Sequence, residues 1–473
     1  MPTPLERVIF HRAHSDKEYL RVVAADPTLD AITLDFAERS DGVGGMEQVG
    51  EVEVVRHYTR LSLLNWDIDR GLYPLGSCTM KHNPRLHERV AADPAYSQAH
   101  PSWPTAYLAQ HCVIMNELAA DLATLSGFDK VCLQPAAGAH GELTAVFMIR
   151  AWHLSRGDAT RDVFLIPDSA HGTNPASAAM SGFRCVQVKS GPEGTLRVED
   201  IRELLNERLA AIMITNPNTL GIYETQFSDI ADAVHKAGGL VYMDGANFNA
   251  AMGVFQPGRI GADVMHFNLH KTFTTPHGGG GPGSGPIGFN ATLAPFAPDS
   301  GKAESIGRVK SWFGQWGMYI RAWVYIRTLG SIGLHEVSEE AVLNANYIRR
   351  RLEGVLSMPV KSATLHESVF NDRDLPNKIT TLDVAKRLID YGFHPPTVYF
   401  PIHVHGALMI EPTETESLDE LDRFCDAMRA VVAEAATDPE RLKSAPHTTC
   451  VSRVDEVLAA RSLDLRWVAT ERG

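Results

Sequence analysis

Asp263-Val-Met-His-Phe-Asn-Leu-His-Lys-Thr-Phe-Thr-Thr-Pro-His277 runs directly into Gly278-Gly-Gly-Gly-Pro-Gly-Ser-Gly-Pro-Ile-Gly288. A short apolar strand delivers the pair His270-Lys271 to its end, and a glycine-rich loop follows at once. An amine at a strand end can be desolvated, and a neutral lysine forms a Schiff base with a carbonyl. Lys271 is the candidate; for a lysine taken alone, an ordinary solvated side chain opening a loop is the commoner case.

Outward from this stretch, short apolar runs alternate with helical ones. The runs are Lys130–Gln134, Val163–Ile166, Arg184–Lys189, Ala211–Thr215, Leu240–Met243, Asp263–Phe267 and Pro286–Phe289. Strands spaced by helices of roughly 10 to 15 residues predict an α/β layer with a mostly parallel sheet. Ligands in such sheets sit beyond the carboxyl ends of the strands. Three segments are expected: an N-terminal arm and loop-rich part over 1–109, a large α/β domain over 110–329 and a smaller C-terminal α/β domain over 330–473. Helices are expected over Glu51–Ser62, Ile114–Leu125, Ser311–Arg327, Ala341–Leu352 and Ser417–Ala435, and a flexible break at Asp41-Gly-Val-Gly-Gly45. Between Gly71 and Pro104 the chain reads as loop, and a loop of roughly thirty residues is more often functional than idle.

Composition narrows the class. The 473 residues are 44% hydrophobic and 21% charged, with a net charge of -13, which argues against nucleic acid or an anionic membrane as partner. Six scattered cysteines without a C-x-x-C pair suggest neither a disulfide framework nor zinc. Met1–Phe10 has no basic segment followed by an apolar one, so a cytoplasmic protein is expected.

Other strand ends offer matching pieces. Leu240–Met243 leads into Asp244-Gly-Ala-Asn247. A carboxylate and a lysine at neighbouring strand ends can face one ligand; in pyridoxal phosphate enzymes the lysine holds the aldehyde and the aspartate keeps the ring nitrogen protonated. Ala137-Gly138-Ala139, inside Gln134–Thr144, puts small residues where a strand turns into a helix, a place suited to phosphate. His171, in Asp168–Pro175, could stack on a flat ring, and Thr215-Asn216 closes another strand with polar groups for ring substituents. Each has a bland reading, as a turn or loop residue; their joint occurrence carries the signal.

Two motifs are decoys. Gly283-Ser-Gly-Pro-Ile-Gly288 fits G-x-G-x-x-G but leads into a strand, and Lys271-Thr272 precedes its glycines where a P-loop needs them first. No metal site is expected: His403-Val-His405 share one strand face, and the run Glu411-Pro-Thr-Glu-Thr-Glu416 reads as solvated charge.

These residues carry a resemblance over nearly the whole chain. Tyr73-Pro-Leu-Gly-Ser-Cys-Thr-Met80, Gln134–Glu142, Asp168–Ser177, Asn268-Leu-His-Lys-Thr-Phe273 and Glu411–Ser417 resemble the glycine decarboxylase (P-protein) family of the glycine cleavage system, in its split form. The resemblance implies a fold-type I pyridoxal phosphate enzyme with Lys271 as the Schiff-base lysine, Asp244 on the pyridinium nitrogen and His171 stacked on the ring. It further implies glycine as substrate, a companion subunit 1 in a hetero-oligomer, and the lipoyl arm of the H-protein as acceptor. A paralogue acting on another amino acid and a catalytically inactive regulatory subunit stand as alternatives. His100-Pro-Ser-Trp103 and His405-Gly406 depart from the usual pattern, and neither touches Lys271, Asp244 or His171. Arg321 and Arg327 are guesses for the group that holds the substrate carboxylate.

Overall fold

In the computed structural model, the residues described are 49–278 and 282–465, with 6, 8 and 9. The expected break at Asp41–Gly45 lies outside them. The chain forms two units, one of residues 1–70 with 444–473 and one of residues 71–443. In the first, Glu51–Leu64 and Glu456–Arg461 are helices.

The second unit is built on a seven-stranded sheet of β1 (Lys130–Cys132), β2 (Val163–Pro167), β3 (Arg184–Val188), β4 (Leu209–Thr215), β5 (Leu240–Gly245), β6 (Val264–Phe267) and β7 (Ile287–Phe289). Their order is β1-β7-β6-β5-β4-β2-β3. Every neighbouring pair from β3 to β6 is parallel, and β7 runs antiparallel to both β6 and β1. All seven strands were legible as apolar runs. Along each central strand alternate residues enter different cores: Ile212, Ile214, Val241, Met243 and Met265 pack on one side, and Ala211, Met213, Tyr242 and Val264 on the other. With both faces covered, the strands carry almost no polar residue until their carboxyl ends, and that is where chemistry can be placed.

A three-stranded antiparallel sheet, β8 (Ser368–Asn371), β10 (Ala407–Ile410) and β9 (Thr397–Val398), follows in the order β8-β10-β9. Phe370, Leu408 and Ile410 pack with Val384 and Leu388 of the helix Thr381–Asp390 and with Leu421 and Phe424 of the helix Leu418–Thr437.

Four expectations change. The two helical stretches over 311–327 and 341–352 are one helix, Trp316–Arg351, broken at Gly330, whose φ of 62° is open to glycine. The segment 71–104 contains the helix Arg85–Ala92. His403 and His405 lie in a turn rather than on one strand face. Glu411 is 1% exposed rather than solvated, and Glu414 is paired with the buried Lys81 at 2.7 Å.

Candidate active site

The register of the parallel strands sets the geometry first. Asp244 on β5 stands opposite His266 on β6, and Thr215 on β4 stands opposite Asp244. Beyond β6 the chain makes a single helical turn, Leu269–Thr272, which carries His270 and Lys271 past the sheet edge. Adjacent strand ends therefore bring a carboxylate and an amine to one side of the sheet.

Asp244 is 2% exposed. Its Oδ1 accepts the Ala246 N–H at 2.9 Å and its Oδ2 accepts from Asn174 Nδ2 at 3.0 Å. His266 Nε2 lies 3.5 Å from Oδ1, and its Nδ1 is 2.7 Å from the Tyr242 hydroxyl. Burial pushes the Asp244 carboxyl up, but His266, the two N–H donors and Lys271 outweigh it and hold it below the usual carboxylate range. An ionised aspartate is thus fixed in a dry setting. Glu142 approaches the same group, within 4.8 Å of Asp244 and His266, and accepts from Thr173 Oγ1 at 2.8 Å.

Lys271 Nζ donates to the carbonyl oxygen of Ser77 at 2.6 Å. Ser77 and Thr79 both have positive φ, 67° and 38°, so the loop is folded back on itself. Two buried glutamates hold it there. Glu367, just ahead of β8, accepts the Ser77 N–H at 2.8 Å, and Glu411, just past β10, accepts the Thr79 N–H at 3.1 Å together with the Thr79 hydroxyl. Between them, His277 Nε2 donates to the Cys78 carbonyl at 3.0 Å. Burial lowers His270 to about 3 and His277 to about 4, with Lys271 adding to both, so both rings are neutral at physiological pH.

The small-residue turn is also where strand and helix meet. The helix Gly138–Ser155 starts after Ala137 without a side-chain cap, leaving backbone N–H groups of Gly138 and Ala139 at its uncapped N-terminus. Its backbone is packed against the glycine-rich loop: a Cβ on Gly285 would stand 2.0 Å from the Ala137 carbonyl oxygen, and one on Gly138 would stand 2.3 Å from Asn268 Oδ1. The glycines are thus required by close backbone approach, as packing around the site predicts.

His171 sits just ahead of the helix Thr173–Met180, its Nδ1 accepting the Thr173 N–H at 3.2 Å and its ring 5.6 Å from that of Phe400. Three residues on, Asn174 reaches Asp244, which ties the His171 turn to β5. Asn216 precedes a cis proline, and its Oδ1 accepts the Glu224 N–H at 3.1 Å. Asn247 Nδ2 donates to the Pro217 carbonyl at 2.9 Å. Arg321 and Arg327 are engaged elsewhere. Arg321 makes a bidentate pair with Glu88, both contacts 2.7 Å, and Arg327 reaches Glu117 and Asp121 at 3.2 and 3.1 Å.

A pyridoxal phosphate fits this donor set. Thr215 Oγ1, Asn247 Oδ1, Asn268 Oδ1 and Thr272 Oγ1 are all buried with no partner in the protein, and all four lie at or just past strand carboxyl ends. Buried polar atoms in folded proteins are nearly always satisfied, so a cluster of exceptions marks a ligand-facing surface. Sequence reasoning missed Ser77, Asn174, His266, Glu367 and Glu411. Ser77, Asn174, His266 and Glu411 lie inside stretches singled out above, but nothing in those stretches chose them over their neighbours, and Glu367 lies in none of them.

Comparison with known proteins gives the family and the fold. Residues 337–447 match the family described as glycine dehydrogenase, C-terminal domain, and residues 144–280 match aminotransferase class-V. The chain is 50% identical over 436 residues, 89% of either chain, to the probable glycine dehydrogenase (decarboxylating) subunit 2 of Staphylococcus saprophyticus. It is 46% identical over 476 residues, 97% of either chain, to that of Staphylococcus haemolyticus. In fold it is similar to an inhibitor-bound glycine decarboxylase (P-protein) of the glycine cleavage system, with a TM-score of 0.69 at 19% identity over 82% of this chain and 90% of the other. It is also similar to a glutamate decarboxylase of Lactobacillus brevis, with a TM-score of 0.65 at 14% identity over 86% and 96%.

Proposed function

Because the chain belongs to the family of glycine dehydrogenase (decarboxylating) subunit 2, we propose that Lys271 and Asp244 are the centre of a pyridoxal phosphate site that decarboxylates glycine. The observation that carries this is the pairing of a buried, ionised Asp244 with Lys271 at the ends of neighbouring strands. Pyridoxal phosphate, when bound, supplies the electron sink for the pair of electrons left by departing CO2.

The chain's own residues do the rest. Lys271 is the amine that holds the cofactor aldehyde, and the Ser77 carbonyl is the group that receives Nζ when it is not so engaged. Asp244, fixed by Asn174 and Ala246, keeps a proton on the ring nitrogen. His171 covers one face of the ring. Ala137, Gly138 and Ala139 hold the phosphate, and Thr215, Asn216, Asn247 and His270 surround the ring substituents. The loop 74–79, clamped by Glu367 and Glu411, helps exclude water beside the amine.

In the full reaction, glycine loses CO2 and its aminomethyl group joins one sulfur of a lipoyl disulfide, which is thereby reduced. The lipoyl arm belongs to the H-protein, and a companion subunit 1 completes a hetero-oligomer in the cytoplasm. Among the described residues no helix is long and apolar enough to cross a membrane.

The test is glycine-dependent exchange of labelled bicarbonate into glycine, run with the companion subunit and H-protein. Lys271→Ala should abolish it along with the imine absorbance of the cofactor. Exchange that survives the substitution unchanged would overturn the assignment.

A further inference from the structure

Three buried groups of the C-terminal part meet beside Lys271. Ligand atoms of His366, Glu367 and Glu411 lie within 4.8 Å of one another, and the three residues are 0%, 0% and 1% exposed. Two carboxylates this close in a dry setting cannot both be charged without large cost. Yet each accepts a backbone N–H of the loop that carries Ser77, and the other oxygen of Glu367 makes no hydrogen bond, lying 4.0 Å from His366 Nε2.

We propose that Glu367 and Glu411 are positioning residues for Lys271, sharing one proton between them so that the pair holds the Ser77 carbonyl in place and presents a single negative charge to Nζ. The proposal rests on Lys271 being the cofactor-bearing lysine.

Three observations support it. Both glutamates reach Lys271 through one short segment: Glu367 fixes Ser77, Ser77 receives Nζ, and Glu411 fixes Thr79 two residues on. Burial pushes both carboxyls up, Glu411 to about 7, with Glu411 adding to the rise of Glu367 and Lys271 opposing it in both. And His366 is not the counter-charge, since burial and Lys271 lower its ring to about 3 and neither nitrogen makes a hydrogen bond, Nε2 standing 4.0 Å from Glu367. The other titratable groups facing this set are Cys78, His270, His277, Asp244 and Lys81. All five are left intact by the substitutions below.

A glutamine is isosteric with a protonated glutamate and can donate to the remaining carboxylate. Each single variant, Glu367→Gln or Glu411→Gln, therefore keeps the one negative charge, and the double variant removes it. In full-length chain stripped of cofactor, the rate of Lys271 acetylation by limiting acetic anhydride at neutral pH, read by mass spectrometry, should change little in either single variant. It should rise by about tenfold or more in the double variant, the effect of losing an opposite charge a few ångströms away. A double variant that matches wild type, or one single variant that gives the whole rise, overturns the proposal.

The infrared spectrum provides a reading that does not depend on the double variant folding. Glu224 and Glu416 are also pushed up to about 7 by burial, so the reading is the difference spectrum of wild type minus either single variant at neutral pH. It should contain a protonated-carboxyl band that shifts on 13C-glutamate labelling, and the absence of that band from both differences overturns the shared proton. Failure of the cofactor assignment would appear separately, as an imine absorbance that survives Lys271→Ala.

Discussion

Lys271 Nζ and the Ser77 carbonyl oxygen meet at 2.6 Å although 194 positions separate them in the chain. The contact depends on the loop 74–79 lying against β10 and β9: Leu75 bridges Ile410 of β10, and the Thr397 hydroxyl of β9 donates to the Gly76 carbonyl at 2.9 Å. Gly76 lies hard against β10, since a Cβ there would stand 2.0 Å from Met409 Cγ.

Gly76→Ala should therefore push the loop off β10 and cost about 1–3 kcal/mol in overpacking. Urea unfolding measures the stability change. Bicarbonate exchange should fall with it, because Ser77 moves with its neighbour. A variant with wild-type stability and exchange would show that this close approach does not matter.

Asp244→Asn keeps the side-chain shape and removes the charge that the site is built to hold. Exchange should drop on the order of 10²-fold or more, as when a buried electrostatic partner of a reacting group is lost. Binding of the cofactor, followed by its absorbance, should persist, since Lys271 is untouched.

Gly285→Ala places a methyl on the Ala137 carbonyl and displaces the turn that begins the Gly138–Ser155 helix. The dissociation constant for pyridoxal phosphate, measured by fluorescence titration, should rise about tenfold or more. Gly172→Ala, where an added Cβ meets nothing within 4 Å, is the control and should bind as wild type does.

Three histidines make the second unit acid-sensitive. Burial holds His270 at about 3, His277 at about 4 and His366 at about 3, all below the ordinary 6.5. The unfolded chain binds more protons than the folded one between those values and 6.5, so stability is present above that window and is lost as pH falls through it. Each ring contributes a slope of at most about 1.4 kcal/mol per pH unit. Glu224, Glu411 and Glu416, pushed up to about 7, act in the opposite sense between their ordinary range and 7, so the rings are read by comparison. The pH dependence of the denaturant midpoint below 6.5 should be shallower by one proton in His366→Leu than in wild type.

The sheet was readable because its strands are buried on both faces. β4 is buried at all seven positions, so it appears as an uninterrupted apolar run that stops at Thr215. Lys271 and Asp244 were readable for the complementary reason, as polar residues at the points where such runs end. Glu367 and Glu411 were not. A carboxylate's burial is decided by what packs on it, and Glu411 begins a run, Glu411–Glu416, whose composition is that of a solvated turn. Its partner Thr79 lies 332 positions away, beyond any local pattern. The acids that pair with Arg321 and Arg327 were unreadable in the same way, since they come from other helices.

The clamp on the loop also sets an order of events during synthesis. Residues 74–79 leave the ribosome early, whereas the carboxylate that fixes Thr79 follows 332 positions later. Domains begin to form while the chain is still growing. The seven-stranded sheet is complete at Phe289, well before Glu367 and Glu411 have been made. A nascent chain can thus own a finished scaffold and a lysine at its edge while the amine still lacks its resting place, so maturation of the site waits on residues made well after the scaffold that carries it.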